Sequence, residues 1–502
     1  MSGYRLHSMV PGVWVFDKGT IFGRGAGSNA RKPAHSRQTG PGRAAVDFLR
    51  LTHSSSRIAF LHVLCLRLRC PPPRAIAPFA LNLHRHLISQ IVDALADIFI
   101  YGFYTDKVIE RRFKLHPKWG ARDRRQVAET IYEIVRWWRW HWHLAGLPDA
   151  ECLDKEKITQ DRIWQVWGAY WITKTGSAAS LYEVERMDVE AVQARATEIV
   201  APAIRASMPD WLNELGKKEL GSEWPDLVRA LNRPADVFLR TNTLKIQPKP
   251  LSINLDKEGI ENKLVPDVPD AIQLVKRQSV FASSAFRAGL FEVQDAASQQ
   301  IAPFLDVSPG QRVIDACAGA GGKALHLGCL MKNKGKIVAL DIHEWKLKEL
   351  RKRSTRQGID IIETRVMEDI RIIKRLHNTA DRVLLDVPCS GLGVLRRNPD
   401  CKWKLSIDEL NRLRPLQAEI LRDYCKMVKP GGKLVYATCS VLPSENEDQI
   451  KSFLAEQGDE WTLEEERRWK PHANGFDGFY AARLVRKAAP PAAKPVVEAA
   501  AA

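Results

Sequence analysis

The chain has 502 residues, 45% of them hydrophobic and 27% charged, which suits a soluble globular protein of two or three domains and excludes a low-complexity chain. Its nine cysteines show no Cys-x-x-Cys pair or zinc-finger spacing, so neither a disulfide scaffold nor a structural metal organises it. The net charge of +17 and pI of about 9.5 point to a polyanionic partner, nucleic acid first.

Residues 1–80 carry twelve Lys/Arg against two Asp/Glu, more than half of the excess charge. Their mixed Gly, Pro and Arg composition has no sustained periodicity and predicts a disordered basic tail. An organelle transit peptide and a start-site artefact are the alternatives. The longest apolar runs, such as 58–66, are short and broken by His and Arg, so no membrane span is expected.

Residues 81–232 read as helical. Leu87, Ile88, Ile91, Val92, Leu95, Ile98 and Phe99 recur at helical spacing, and so do Val127, Ile131, Ile134, Val135 and Trp138. Between them, Trp119 to Arg125 forms a basic helix entry. Trp137, Trp138, Trp140 and Trp142 interleave with Arg, which suits either base stacking or, as the better reading, a helical core with Arg on its rim.

Residues 233–308 change character. Phe238 to Asn242 alternates like a strand, and Leu251 to Gly259 reads as a short helix ending in Gly, giving a small α/β module. Residues 309–487 alternate strand and helix, with strands expected at Arg312–Ala316, Ile337–Ile342, Arg382–Val387 and Lys433–Thr438. Ser406 and Glu409 read as a capping box opening a helix that Pro430-Gly431-Gly432 ends. The pattern predicts an α/β fold with a mostly parallel sheet, ligands binding at the C-terminal strand ends. Residues 488–502 form an Ala/Pro-rich tail.

Five strand ends carry candidate chemistry. Asp315-Ala316-Cys317-Ala318-Gly319-Ala320-Gly321-Gly322-Lys323 is a glycine-rich turn opening a helix, where a ligand can approach the backbone closely; the Walker spacing is absent. Asp341 ends the next strand, placed either to meet ribose hydroxyls or to cap the helix after His343. Glu368 and Asp369 follow a third extended segment, and either could reach an adenine amine. Asp386-Val387-Pro388-Cys389-Ser390-Gly391 and Tyr436-Ala437-Thr438-Cys439-Ser440 end two further strands, so two cysteines face one crevice.

Together these motifs resemble the Sun/NOP family of RNA 5-methylcytosine methyltransferases. The flanks Val293-Gln294-Asp295-Ala296-Ala297-Ser298-Gln299, Arg396-Arg397-Asn398-Pro399-Asp400 and Asp477-Gly478-Phe479 agree. Ala318 stands where many relatives carry Pro. The resemblance covers about residues 235–487, and the helical part resembles the NusB-like domain of the RsmB branch. It implies a Rossmann-like class I methyltransferase sheet, preceded by an α-helical NusB-like RNA-binding domain and a small RNA-recognition-like module. It also implies S-adenosylmethionine as cofactor, held by Cys317, Ala318, Gly319, Ala320, Gly321, Gly322, Lys323, Asp341, Glu368, Asp369 and Asp386. It puts the nucleophile on Cys439, adduct release on Cys389, base contact on Asp386 and support on Lys323. The expectation is a cytoplasmic, monomeric, metal-free enzyme acting on RNA, with ribosomal RNA ahead of tRNA; a non-catalytic ribosome-assembly factor is the alternative outside enzymes.

Overall fold

A computed structural model describes residues 84–488. The readings made for the basic N-terminal segment and the Ala/Pro-rich tail fall outside the described residues. Among the described residues, no helix is long and apolar enough to cross a membrane.

The helical spacing of the first part becomes a buried face. All seven apolar residues from Leu87 to Phe99 are buried on helix Arg85–Phe99. Val127, Ile131, Ile134 and Val135 are buried on helix Ala121–Arg136. Trp138 stacks on Phe99 at 3.7 Å between ring centroids, and its indole N–H donates to the Cys152 carbonyl at 2.7 Å. Trp138 and Trp142 are fully buried and Trp140 nearly so. These three rings therefore build core and offer no face to a base; a buried indole with its N–H satisfied stabilises a small helical bundle strongly.

By sequence, helices Asp210–Leu220 and Trp224–Leu231 group with this bundle. Their Leu212, Trp224, Leu227 and Leu231 pack instead against Leu392, Leu395, Leu405, Leu410 and Leu442 of the C-terminal part. Periodicity reports that a helix has a buried face but not which neighbour covers it.

A small antiparallel sheet follows, built from β1 (Phe238–Thr241), β2 (Asn262–Leu264), β3 (Ala271–Leu274) and β4 (Phe291–Val293) in the order β2-β3-β1-β4. The expected helix is present at Pro248–Lys257, and Gly259 beyond it takes φ +74°. This sheet braces the next one. Arg240, almost wholly buried, donates to the Gly322 carbonyl, and Glu292 binds Arg353, Arg356 and Gln357.

The main sheet contains β5 (Arg312–Asp315), β6 (Lys336–Asp341), β7 (Ile362–Val366), β8 (Ala380–Asp386), β9 (Val428–Thr438), β10 (Trp461–Trp469) and β11 (Phe479–Arg486). Its order is β10-β11-β9-β8-β5-β6-β7, parallel from β7 to β9, with β11 and β10 antiparallel. Apolar cores lie on both faces, one under helices Ala296–Phe304, Gly322–Leu330 and Glu344–Gln357, the other under Ile407–Tyr424 and Glu447–Gln457. Chain order reverses between β5 and β8, the switch point where doubly wound sheets open a crevice.

Three details differ from the sequence reading. β10 and β11 form an additional hairpin; β10 is rich in Glu and Arg, and such charges hide an edge strand from hydrophobic pattern while blunting its edge. The helix before β9 ends at Tyr424, and Pro430-Gly431-Gly432 lies inside β9. There the β8–β9 register slips between the pairs Ala380–Val428 and Arg382–Lys433, with Gly431 at φ +79°. Ser406 does cap its helix through the Glu409 N–H at 3.2 Å, but the Glu409 carboxylate turns to Arg412, so only half of the box forms.

Candidate active site

Parallel pairing puts the cysteines together. Asp386 on β8 sits opposite Ala437 on β9, so Pro388-Cys389 and Thr438-Cys439 emerge side by side at the C-terminal edge. The two Sγ atoms lie 3.4 Å apart, and both residues are partly exposed. The Cys439 carbonyl accepts from the Gly393 N–H at 2.8 Å. A Cβ at position 393 would lie 2.1 Å from the Gly478 carbonyl oxygen, so only glycine lets the loop after β8 press this closely. The hydrogen bond to Cys439, burial, and the charges of Cys439 and Glu445 together push the Cys389 thiol well up.

Lys323, the second residue of helix Gly322–Leu330, reaches across the switch point and donates to Asp386 at 2.6 Å. Burial works against its ammonium, but the charge and hydrogen bond of Asp386 prevail and raise its pKa, with Cys439 adding to the effect. Its Nζ also lies 5.2 Å from the Phe479 ring centroid.

The glycine turn forms the other wall. Gly319 takes φ +56°, and neither Gly319 nor Gly322 has a neighbouring atom where a Cβ would be, which leaves the backbone open to a ligand. Ala318 is buried and its N–H donates to the Leu340 carbonyl at 2.8 Å, while the Ala320 carbonyl accepts from Arg353 at 2.7 Å. At Gly321, φ is +84° and a Cβ would lie 2.0 Å from Leu350. Cys317 stands among aspartates; burial and the charges of Asp315, Asp386 and Asp341 push its thiol well up.

Asp341 is not the cap of helix Glu344–Gln357, whose N-cap residue is His343 without a side-chain hydrogen bond; its carboxylate bonds two backbone N–H groups at the strand end. One oxygen accepts from the His343 N–H at 2.8 Å ahead of helix Glu344–Gln357, and the other from the Gly319 N–H at 2.9 Å. It thereby ties β6 to the glycine turn, with acceptor capacity left on each oxygen. Asp369 folds back onto Arg371 through its backbone and guanidinium, whereas Glu368 is exposed and has no hydrogen-bond partner among the described residues.

Two features escaped the sequence reading. Asp315, at the end of β5, is buried with neither carboxylate oxygen hydrogen-bonded. Burial and the Asp386 charge push its carboxyl up to about 7 against the pull of Lys323, and Asp341 adds to the rise. The three flanking motifs also converge. Arg397 donates to Asp295 at 2.6 Å and binds Asp477, closing a buried ion cluster beside the Cys389 loop. Nothing in the local spacing of those segments signals that they meet.

A switch-point crevice with a glycine turn on one wall and paired strand-end cysteines on the other defines a class I methyltransferase fold. Comparison with known proteins agrees. Residues 302–485 match the family 16S rRNA methyltransferase RsmB/F, and residues 208–281 match its ferredoxin-like domain. The probable ribosomal RNA small subunit methyltransferase B of Synechocystis sp. is 30% identical over 441 residues, covering 78% of this chain and 97% of that one. The protein of the same description in Bacillus subtilis is 33% identical over 325 residues, 61% and 72% of the two chains. The solved structure of PH0851 is 28% identical with a TM-score of 0.67 over 80% of this chain and 99% of its own. A methyltransferase homolog protein from Pyrococcus horikoshii is 27% identical with a TM-score of 0.51 over 57% and 100%. The chain belongs to the RsmB/F methyltransferase family.

Proposed function

We propose that this protein transfers a methyl group from S-adenosylmethionine to carbon-5 of a cytosine in RNA, with small-subunit ribosomal RNA as its substrate. The observation that carries the reading is the pair of cysteines 3.4 Å apart at adjacent strand ends, beside the Lys323–Asp386 pair. The names of the relatives support ribosomal RNA.

The cofactor pocket fits a cation. Neither carboxylate oxygen of Asp315 has a hydrogen-bond partner by distance and angle among the described residues, Asp341 and Asp386 stand near it, and the glycine turn leaves room at Gly319 and Gly322. S-adenosylmethionine, when bound, supplies an electrophilic methyl on a sulfonium. Asp315 is suited to the cofactor's positive charge, Gly319 to Gly322 to close backbone approach, and Asp341 and Glu368 to polar groups of the nucleoside.

Carbon-5 of cytosine is a poor nucleophile. The Cys439 thiolate adds to carbon-6, and the electron pair moves through the ring so that carbon-5 can take the methyl group. Asp386, held by Lys323, accepts from the exocyclic amine at the ring edge. Cys389, once its own thiol proton has passed to solvent, takes the carbon-5 proton as thiolate. The double bond re-forms and Sγ of Cys439 leaves as thiolate.

The test is methyl-labelled S-adenosylmethionine with unmodified 16S ribosomal RNA, the product mapped for 5-methylcytosine. Label on a cytosine, lost in Cys439→Ala and replaced by a covalent protein–RNA adduct in Cys389→Ala, is expected. Label on another base, or unchanged labelling in Cys439→Ala, would overturn the reading.

A further inference from the structure

The two cysteine loops are joined from behind by one side chain outside the motifs. Glu445 follows β9 in a short turn and is fully buried. One of its oxygens accepts from the Ser390 N–H at 2.8 Å and Gln417 Nε2 at 3.0 Å. The other accepts from Ser390 Oγ at 2.5 Å and from Ser440 Oγ. Ser390 is the neighbour of Cys389 and Ser440 the neighbour of Cys439. Adjacent bonds extend the clamp: Gln417 also donates to the Pro388 carbonyl at 2.9 Å, and Asn446 to the Ser440 carbonyl at 3.2 Å.

An ionised carboxylate accepts about four hydrogen bonds and donates none, which matches the four donors aimed at it. No Lys, Arg or His forms an ion pair with Glu445 among the described residues. A buried charge without a counter-ion is costly, and a neutral amide could have joined two loops. The charge therefore has a use beyond packing.

We propose that Glu445 is a positioning residue that holds the two cysteine-bearing loops in register and tunes the pair for release of the RNA adduct. The proposal rests on the cysteine roles assigned above. The groups facing Cys389 are Cys439 and Glu445, with Tyr436 behind it on β9, while Lys323 faces Cys439. The negative charge of Glu445 raises the proton affinity of Cys389, so the carbon-5 proton is held firmly once Cys389 has taken it.

The test compares wild type with Glu445→Gln and Glu445→Asp in methylation of 16S ribosomal RNA, with peptide-resolved alkylation of Cys389 across pH. Glu445→Gln keeps the volume and removes the charge. Its kcat should fall roughly 10- to 100-fold with little change in KM or cofactor binding, because loops misplaced by a fraction of an ångström lose alignment. A covalent RNA adduct should accumulate, and Cys389 should alkylate at lower pH, which a packing defect alone would not produce. Glu445→Asp should restore the alkylation profile but not the rate. Wild-type kcat and an unmoved alkylation profile in a folded Glu445→Gln would overturn the proposal. If that variant does not fold, Ser390→Ala and Ser440→Ala each remove one donor and leave the carboxylate; wild-type kcat in both overturns it equally. Cys439→Ala run alongside separates the two claims. Methylation surviving there defeats the cysteine roles, whereas its loss beside a fully active Glu445→Gln defeats the positioning role alone.

Discussion

The two walls of the crevice are built on opposite terms. At the ends of β8 and β9, the polar groups that join the cysteine loops are largely engaged: Glu445 takes four donors, Thr438 bonds Asn446, and Gln417 holds the Pro388 carbonyl, although Gln417 Oε1 has no partner among the described residues. At the end of β5, Asp315 lies buried with both oxygens unpartnered, and Gly319 and Gly322 face open space. A satisfied network is rigid before any ligand arrives, whereas an unpaired buried carboxylate marks a place that a ligand completes. On the proposed function, the cysteine wall holds its groups in place before substrate arrives, and the glycine wall is completed by the cofactor.

The largest effect expected from this contrast is at Cys439. Cys439→Ala should lower methyl transfer by roughly 10³-fold or more while cofactor affinity stays at the wild-type value, since the two walls do separate work. Radiolabel transfer and calorimetry on the same preparation measure both, and parallel loss of cofactor binding would break the contrast.

The Arg397 cluster ties the loop after Cys389 to the segments of Asp295 and Asp477, and its removal tests what that tie contributes. Arg397→Ala leaves Asp295 and Asp477 buried without their cation, at a cost of about 3–5 kcal/mol. Urea unfolding should show it; a change below about 1 kcal/mol would place the cluster's role elsewhere.

At the glycine wall, pH is the probe. Asp315 titrates near 7 in the folded protein against about 3.9 in an unfolded chain. Its contribution to stability is therefore complete below about pH 4 and is lost as pH rises through 7, on the order of 4 kcal/mol in all. A cationic cofactor favours the ionised form, so affinity should climb with pH and level off above 7. Asp315→Asn should flatten that profile and weaken binding about tenfold, the scale of a charge-assisted contact. A pH-independent wild-type affinity would remove Asp315 from the site.

Ser406→Ala serves as a control away from both walls. Losing the cap on helix Ile407–Tyr424 should cost about 1 kcal/mol in thermal or urea unfolding and leave kcat unchanged.

Much of this was legible in the sequence because it is local. Helical faces from Leu87 to Phe99 and from Val127 to Val135 follow from spacing, and the motif strands announce themselves by apolar runs closed by Asp, Gly or Pro-Cys. Cys389 and Cys439 could be placed on one edge because parallel strands share a direction. What the sequence could not hold is anything set by contacts between distant segments. The 3.4 Å between the two sulfurs follows from the β8–β9 register. The side of the molecule that helices Asp210–Leu220 and Trp224–Leu231 cover was decided by which partner had an apolar face to offer. Asp315 becomes a buried, unpartnered acid, and Glu445 a clamp on two loops, only once neighbouring strands and turns close around them. Local pattern determines which residues turn inward; tertiary packing decides what they meet there, and the chemistry lies in those meetings.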